Sequence, residues 1–121
     1  MNILATFYWY PKCSTCKKAT VWLEEHNVKY DVIDMIETPP TKEQLVVWMQ
    51  DNDYPVRRFF NTSGIRYREQ NLKEIVNDFS FEEAAERLSA DGMLIKRPIM
   101  VVDGKVLLGF KEAAYEELFL S

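Results

Sequence analysis

The chain has 121 residues, of which 47% are hydrophobic and 28% charged, and its formal net charge is −4. These values are typical of one globular domain that is long enough to bury a core, and they exclude a largely disordered chain. The acidic balance argues against a dedicated nucleic-acid-binding protein. No apolar run approaches the ~18 residues of a membrane span, and the amino terminus lacks a secretory-signal pattern. We therefore expect a cytoplasmic protein that contacts neither membrane nor nucleic acid directly.

The first third of the chain has the pattern of a strand, a helix and a second strand. Ile3 to Trp9 is rich in β-branched and aromatic residues, which predicts a strand that Pro11 ends. From Ser14 to His26 apolar residues recur every three or four positions, which predicts a helix that His26 caps or ends. Lys29 to Met35 alternates and predicts the second strand. A helix that connects two strands favours their parallel pairing.

The middle of the chain is predicted to be helical. Thr41 is well placed to cap a helix that extends to Asn52. Residues 55–67 are predicted to form a turn-rich connection whose aromatic pair, Phe59 and Phe60, docks on the core. The expected inner face of the capped helix consists of three apolar residues: Leu45, Trp48 and Met49.

Two further helices are predicted before residue 92. Leu72 to Phe79 is expected to form a short one. Ser80 and Glu83 have the spacing of a capping box at the start of an amphipathic helix. Its expected inner face consists of four residues: Phe81, Ala84, Ala85 and Leu88.

The last part of the chain predicts a hairpin followed by a helix. Ile99 to Val102 is a strongly apolar strand, and Asp103-Gly104 is a hairpin turn that returns the chain through Lys105 to Leu108. Phe110 to Phe119 is expected to close the chain as a helix. The predicted order is βαβ, a helical insert, then ββα.

Two cysteines lie where the first strand meets the first helix, in the sequence Cys13-Ser14-Thr15-Cys16. A helix amino terminus carries unpaired N–H groups and a partial positive charge, which favour a thiolate at Cys13. Lys12 and Lys17 add positive charge. One helical turn places Cys16 where it can attack a mixed disulfide on Cys13 and resolve it. The pattern predicts thiol–disulfide exchange, with Cys13 as nucleophile and Cys16 as resolving cysteine.

Three other interpretations of the cysteines stay open at this point. A metal site is one, although a CxxC pair supplies only two of the usual four zinc ligands. The sole histidine, His26, lies ~15 Å further along a helix and cannot complete that site, so a metal would have to be shared across a dimer. Alternatively, Cys16 is simply a small buried hydrophobic residue, or the two cysteines form an inert surface pair. We expect no metal and no cofactor.

Arg97-Pro98 directly precedes the apolar strand that begins at Ile99. At the start of a strand the missing N–H of proline is tolerated. A cis bond there would expose backbone groups beside the helix amino terminus. Arg97 is a candidate for steering an anionic substrate or the thiolate, and a solvated arginine is the alternative.

Three segments together resemble the arsenate-reductase-like, Spx-related branch of thioredoxin-like proteins: WYPKCSTCKKATVWLEEHNV, NTSGIRYRE and KRPIMVVDGKVLLGFKE. The resemblance extends over nearly the whole chain. It implies an α/β thioredoxin-like fold in a single domain of residues 1–121, with a helical insert at about 41–92 between the two halves. It also implies a nucleophilic Cys13 and a cis bond before Pro98.

The resemblance implies different functions for different members of this branch. Glutaredoxin-coupled arsenate reductases use one cysteine and three arginines around the oxyanion. Arg97 matches one of these arginines. At the place of the second this chain has Asn61, with Arg57 and Arg58 slightly upstream, and at the third it has Gly109 and Phe110. Arsenate reduction is therefore the weakest of the alternatives.

Spx-type regulators keep the CxxC pair as a redox switch and bind the RNA polymerase alpha subunit without being enzymes. This sequence ends at Ser121 without the basic extension of Spx, and Asp51 to Tyr54 lacks the glycine that Spx presents near its polymerase contact. We predict a thiol–disulfide oxidoreductase that acts on a partner protein or a glutathione-type reductant. A regulator that binds the alpha subunit is the alternative.

Overall fold

A computed structural model describes residues 5–120 of the chain. These residues separate into two compact units, one of residues 5–34 and 97–120 and one of residues 35–96. The prediction of a single domain over residues 1–121 stays a prediction. No helix within the described residues is long and apolar enough to span a membrane.

The first unit contains a mixed sheet whose described strands are ordered β2-β1-β3-β4. The strands are β1 (Ala5–Trp9), β2 (Asp31–Asp34), β3 (Ile99–Val102) and β4 (Lys105–Leu108). β1 pairs in parallel with β2 and antiparallel with β3, and β3 pairs antiparallel with β4. The predicted βαβ and ββα halves are thus confirmed, and β1 joins them by pairing Phe7 with Met100.

Each predicted strand of this unit is present, with small shifts at the ends. Ile3 and Leu4, at the start of the first predicted strand, lie outside the described residues. The second strand is shorter than the predicted 29–35, because β2 pairs with β1 only from Asp31 to Asp34. In the hairpin turn, Asp103 and Gly104 have φ angles of +50° and +83°, the left-handed values that a two-residue turn of this type needs.

Two helices supply the core of the first unit together with the sheet. They are α1 (Ser14–Glu25) and α5 (Glu112–Leu120), the latter beginning two residues after the predicted Phe110. The buried cluster combines residues from β1, α1, β3 and α5: Ala5, Phe7, Ala19, Trp22, Leu23, Met100, Val102 and Tyr115. Alternate residues of β1 and residues three or four apart on α1 therefore meet on one side of the sheet.

The second unit is built from α2 (Lys42–Asp51), α3 (Ile65–Glu69), α4 (Phe81–Ala90) and several 3₁₀ turns. Helix α2 packs against α4. The predicted inner face of α2 is buried, as are Ala84, Ala85 and Leu88 of α4. Phe81 is 38% exposed, so its predicted place on the inner face is wrong.

The predicted helix over residues 72–79 is also wrong in its form. Two 3₁₀ turns, Leu72–Glu74 and Val76–Asp78, are present instead, and Ile75 between them has the non-helical φ of −124°. Leu72 and Val76 are nevertheless buried, as the periodicity indicates. The β-branched pair at 75–76 and the Asn77-Asp78 sequence lower the helix propensity, so short turns that bury the same side chains are favoured.

Candidate redox site at Cys13 and Cys16

Cys13 is the N-cap residue of α1, with extended backbone angles of φ −95° and ψ 115°. Its Sγ accepts a hydrogen bond from the backbone N–H of Cys16 at 3.2 Å. The sulfur thus takes the place of the side-chain oxygen that usually satisfies a helix N-terminus. Its side chain is half-buried, and the first turn of α1 contains no acidic residue. The predicted placement of Cys13 at the positive end of the helix is confirmed.

Cys16 lies one turn into α1 and is fully buried. The pKa of its thiol is raised to about 12, first by burial and then by a hydrogen bond with the Cys13 side chain and by the charge of Cys13. A hydrogen bond from the backbone of Tyr10 and the charge of Arg97 act in the opposite direction. The two sulfurs are therefore adjacent but inequivalent: Cys13 is reachable from solvent, whereas Cys16 is buried and keeps its proton.

Tyr10 connects the cysteines with Arg97, a role that the sequence pattern did not indicate. Its carbonyl oxygen accepts a hydrogen bond from the N–H of Cys13 at 3.0 Å. The guanidinium carbon of Arg97 lies 5.2 Å from the centroid of the Tyr10 ring, a cation–π arrangement. Arg97 is thus held within electrostatic range of the cysteine pair, as its effect on the pKa of Cys16 requires.

The Arg97–Pro98 peptide bond is cis, as the resemblance implies. Pro98 is buried, and its carbonyl oxygen accepts a hydrogen bond from the N–H of Gly109 at 2.8 Å. Gly109 has a φ of +77°, a conformation that favours glycine over an arginine. Phe110 packs its ring against Tyr115, with centroids 4.9 Å apart. Neither Gly109 nor Phe110 supplies the guanidinium that an arsenate reductase would have at this place.

Tyr115 is a second residue that sequence reasoning missed near the cysteines. Its side chain is fully buried, and burial raises the pKa of its hydroxyl, with a smaller contribution from the charge of Cys16. Its hydroxyl has no hydrogen-bond partner among residues 5–120. The ring lies edge-on to Trp22 at 5.6 Å. The sequence pattern of the last helix did not indicate that this residue is buried near Cys16.

His26 is the C-cap residue of α1, in agreement with its predicted role. Its Nδ1 lies 2.8 Å from the carbonyl oxygen of Trp22, and the two rings stack at 4.0 Å. Within residues 5–120, no three His, Cys, Asp or Glu side chains are grouped to hold a metal ion.

The remaining candidate residues belong to the second unit. The backbone N–H of Asn61 donates to the carbonyl oxygen of Leu94 at 2.7 Å. Arg57 and Arg58 lie in the 3₁₀ turn Val56–Phe59 and line a cavity of this unit.

Comparison with known proteins identifies the family. The sequence model of the ArsC family matches residues 8–118, which include the cysteine pair, the helical segment and Arg97-Pro98. The chain belongs to the ArsC family. As an ArsC-family member with this sheet order and these helices, it has the predicted thioredoxin-like fold.

Three relatives illustrate the range of the ArsC family. Uncharacterized protein YusI of Bacillus subtilis is 51% identical over 112 residues, which cover 93% of this chain and 95% of YusI. The global transcriptional regulator Spx of Lactiplantibacillus plantarum is 24% identical over 109 residues, covering 90% of this chain and 81% of Spx. The crystal structure of a possible arsenate reductase from Streptococcus mutans has a TM-score of 0.89 and 43% identity, covering 97% of this chain and 98% of that one.

Proposed function

We propose that this ArsC-family protein is a thiol–disulfide oxidoreductase in which Cys13 is the nucleophile and Cys16 the resolving cysteine. One observation carries the proposal: a half-buried Cys13 at the N-cap of α1 accepts a hydrogen bond from the N–H of a fully buried Cys16. Thiol exchange is favoured over arsenate reduction because Asn61 and Gly109 stand where arginines would hold the oxyanion.

In the first step, the Cys13 thiolate attacks one sulfur of a substrate disulfide. A bond forms between Cys13 and that sulfur, the substrate S–S bond breaks, and the other substrate sulfur leaves as a thiolate. The N–H of Cys16 and the amino terminus of α1 stabilise the negative charge on Cys13 before the attack.

In the second step, Cys16 gives its proton to solvent or to the thiolate released in the first step, and its sulfur attacks Cys13 Sγ. The Cys13–Cys16 disulfide forms, and the second substrate sulfur leaves as a thiolate, so two electrons pass from the protein to the substrate. Once Cys13 is in the mixed disulfide, its charge and its hydrogen bond no longer raise the pKa of Cys16. Tyr10 and Arg97 still lower that pKa, so Cys16 becomes more acidic when its thiolate is needed. Two molecules of a glutathione-type thiol then return the protein to its reduced state and leave as their disulfide.

Trapping of the intermediate tests this order of attack. Reduced protein is mixed with oxidised glutathione and analysed by intact-mass spectrometry. Cys16→Ser should accumulate one glutathionyl group on Cys13, because Cys13 attacks but cannot be resolved, whereas Cys13→Ser should react at least tenfold more slowly. Wild-type protein should end as the intramolecular disulfide, with a reversible two-electron couple against glutathione.

Equal labelling of Cys13→Ser and Cys16→Ser would overturn the assignment of nucleophile and resolving cysteine. A wild-type protein that forms no intramolecular disulfide under the same conditions would overturn the oxidoreductase proposal as a whole. Far-ultraviolet circular dichroism of both variants checks that α1 is intact.

A redox-sensing regulator is the second candidate, and the similarity to Spx over 90% of the chain favours it. In this case the same disulfide would change the affinity for the RNA polymerase alpha subunit. Binding of purified alpha subunit to the reduced and the oxidised protein distinguishes the two candidates. Specific capture in one redox state, without disulfide reductase activity, would establish the regulator in place of the enzyme.

A further inference from the structure

A cavity of about 580 Å³ lies in the second unit, and four of its lining residues are basic. They are Arg57 and Arg58 from one 3₁₀ turn, Lys73 from the turn Leu72–Glu74, and Lys96 at the end of the unit. None of the described residues that line the cavity is acidic. Because acidic residues outnumber basic ones in this chain, 19 to 15, the composition does not account for this concentration of positive charge.

The positive charges of the cavity are not neutralised by the protein. Among residues 5–120, Arg57, Lys73 and Lys96 make no salt bridge. Arg58 lies over the ring of Tyr54, with its guanidinium carbon 5.5 Å from the centroid, which leaves its charge uncompensated by a carboxylate. Like charges that converge on one concave surface repel each other, so an anion that binds there relieves an unfavourable energy.

The backbone around the cavity is fixed by hydrogen bonds. The N–H of Lys96 donates to the carbonyl oxygen of Phe59 at 2.9 Å, and Phe60 and Ile95 form an isolated antiparallel bridge. The N–H of Arg58 donates to the carbonyl oxygen of Pro55 at 2.9 Å. The segments that carry Arg57, Arg58 and Lys96 are therefore held beside each other before any ligand binds, which lowers the entropic cost of binding.

The other lining residues complement the charges. Asn77 and Thr62 offer an amide and a hydroxyl as hydrogen-bond donors. Tyr67 and Phe60 are 4% and 1% exposed, and their rings form a rigid apolar wall with centroids 6.3 Å apart. A few polar groups on an apolar wall, in a cavity of this volume, are typical of a small-molecule site.

We propose that this cavity binds a small anion that carries two or more phosphate groups. Guanidinium groups bind phosphate oxygens in pairs, and lysines contribute point charges to the same oxygens. Four cations match more negative charge than one phosphate carries, and the cavity is larger than a single phosphate needs. The concave shape favours a small molecule over an extended polyanion, which would require a basic stripe.

Calorimetric titration of the full-length reduced protein tests the site, with inorganic pyrophosphate as the probe and orthophosphate as the comparison. At low ionic strength we expect one pyrophosphate to bind each chain, at least tenfold more tightly than orthophosphate. Salt should weaken this binding. The double variant Arg57→Gln/Lys73→Gln should weaken it at least tenfold.

Matched control variants distinguish specific binding in the cavity from non-specific electrostatic attraction of pyrophosphate. Arg68 and Lys42 belong to the same unit and do not line the cavity. Arg68→Gln/Lys42→Gln removes the same net charge and should change the affinity less than twofold. Cys13→Ser/Cys16→Ser should bind pyrophosphate like the wild type, so the result does not depend on the proposed redox function.

Three outcomes would overturn the proposal. Pyrophosphate that binds no more tightly than orthophosphate would show that the cavity does not select several phosphates. Equal losses of pyrophosphate affinity in the cavity variant and the control variant would show that binding depends only on the net charge of the protein. Tighter binding of a glutamate-rich peptide than of pyrophosphate would identify a protein-docking surface instead.

A pyrophosphate-induced rise in melting temperature, present in the wild type and absent in the folded cavity variant, gives a second and independent readout.

Discussion

Two cysteines of the same chemical type have different properties here because their surroundings differ. Cys13 ends an irregular segment and is half-buried, whereas Cys16 lies on the inner side of α1 and has no exposed surface. Burial stabilises the neutral thiol of Cys16, and the nearby sulfur of Cys13 adds to this effect. At the scale of single residues, the environment therefore makes one sulfur accessible and keeps the other buried and protonated.

The raised pKa of Cys16 predicts how stability depends on pH. In the unfolded chain this thiol ionises near its ordinary value of 9.0, whereas in the folded protein it keeps its proton up to about pH 12. The folded state then binds more protons than the unfolded state between these values, so the stabilisation is present below about pH 9 and decreases as the pH rises. The stability advantage of reduced wild type over Cys16→Ala should fall by about 1 kcal/mol from roughly pH 8 to pH 10.

Urea denaturation in the presence of a reductant measures this difference at each pH. Thr20→Ala, a change on the same helix that removes no titrating group, should keep the wild-type pH dependence. A stability difference between wild type and Cys16→Ala that stays constant up to pH 10 would contradict the assigned burial of the Cys16 thiol.

At the scale of elements, capping sequences predicted the first residues of the helices more reliably than periodicity predicted the conformation of the residues that follow. Thr41 accepts a hydrogen bond from the N–H of Gln44 at 3.1 Å, and the Gln44 side chain accepts one in return from the N–H of Thr41 at 2.9 Å. Ser80 caps α4 by accepting a hydrogen bond from the N–H of Glu83, and its hydroxyl donates to the Glu83 carboxylate at 3.2 Å. Capping depends on four consecutive residues, so it is readable from the sequence. The backbone conformation of residues 72–79 depends on packing and therefore cannot be read from the sequence.

Loss of the cap of α2 should destabilise the protein without changing its chemistry. Thr41→Ala leaves the N–H of Gln44 without its side-chain acceptor, and we expect the free energy of unfolding to fall by about 1 kcal/mol. Thermal or urea denaturation measures this change. Thr38→Ala, at an exposed position just before the helix, is the control and should alter stability by less than about 0.5 kcal/mol. Equal effects of the two substitutions would argue against the capping box.

At the scale of the molecule, each unit depends on contacts between residues far apart in the chain. In the first unit, β3 pairs with β1 across more than ninety residues of sequence. In the second, Gly92 lies against the backbone of Met35 and Ile36. A Cβ at Gly92 would overlap the carbonyl oxygen of Met35 and lie 3.1 Å from the Cα of Ile36. Neither contact follows from local sequence patterns.

Gly92→Ala should therefore be strongly destabilising, because backbone atoms must move to admit one methyl group. We expect a loss of about 2 kcal/mol or more in the free energy of unfolding. Gly104→Ala is the comparison: open space surrounds that position, and only its positive φ opposes a side chain, at a cost of about 1 kcal/mol. Urea denaturation of both variants ranks the two costs. A smaller loss at Gly92 than at Gly104 would contradict the close backbone approach.

The sequence by itself determined the α/β order, the helix caps, the hairpin turn at Asp103-Gly104 and the position of the CxxC pair at a strand–helix junction. These features follow from periodicity and from turn or cap chemistry within a few residues. Tertiary structure alone decided that Tyr10 links Arg97 to the cysteines, that Tyr115 lies near Cys16, and that Lys73 and Lys96 join Arg57 and Arg58 around one cavity. The physical reason is that burial and electrostatic interaction depend on distances in space, and the chain brings these residues together only when it folds.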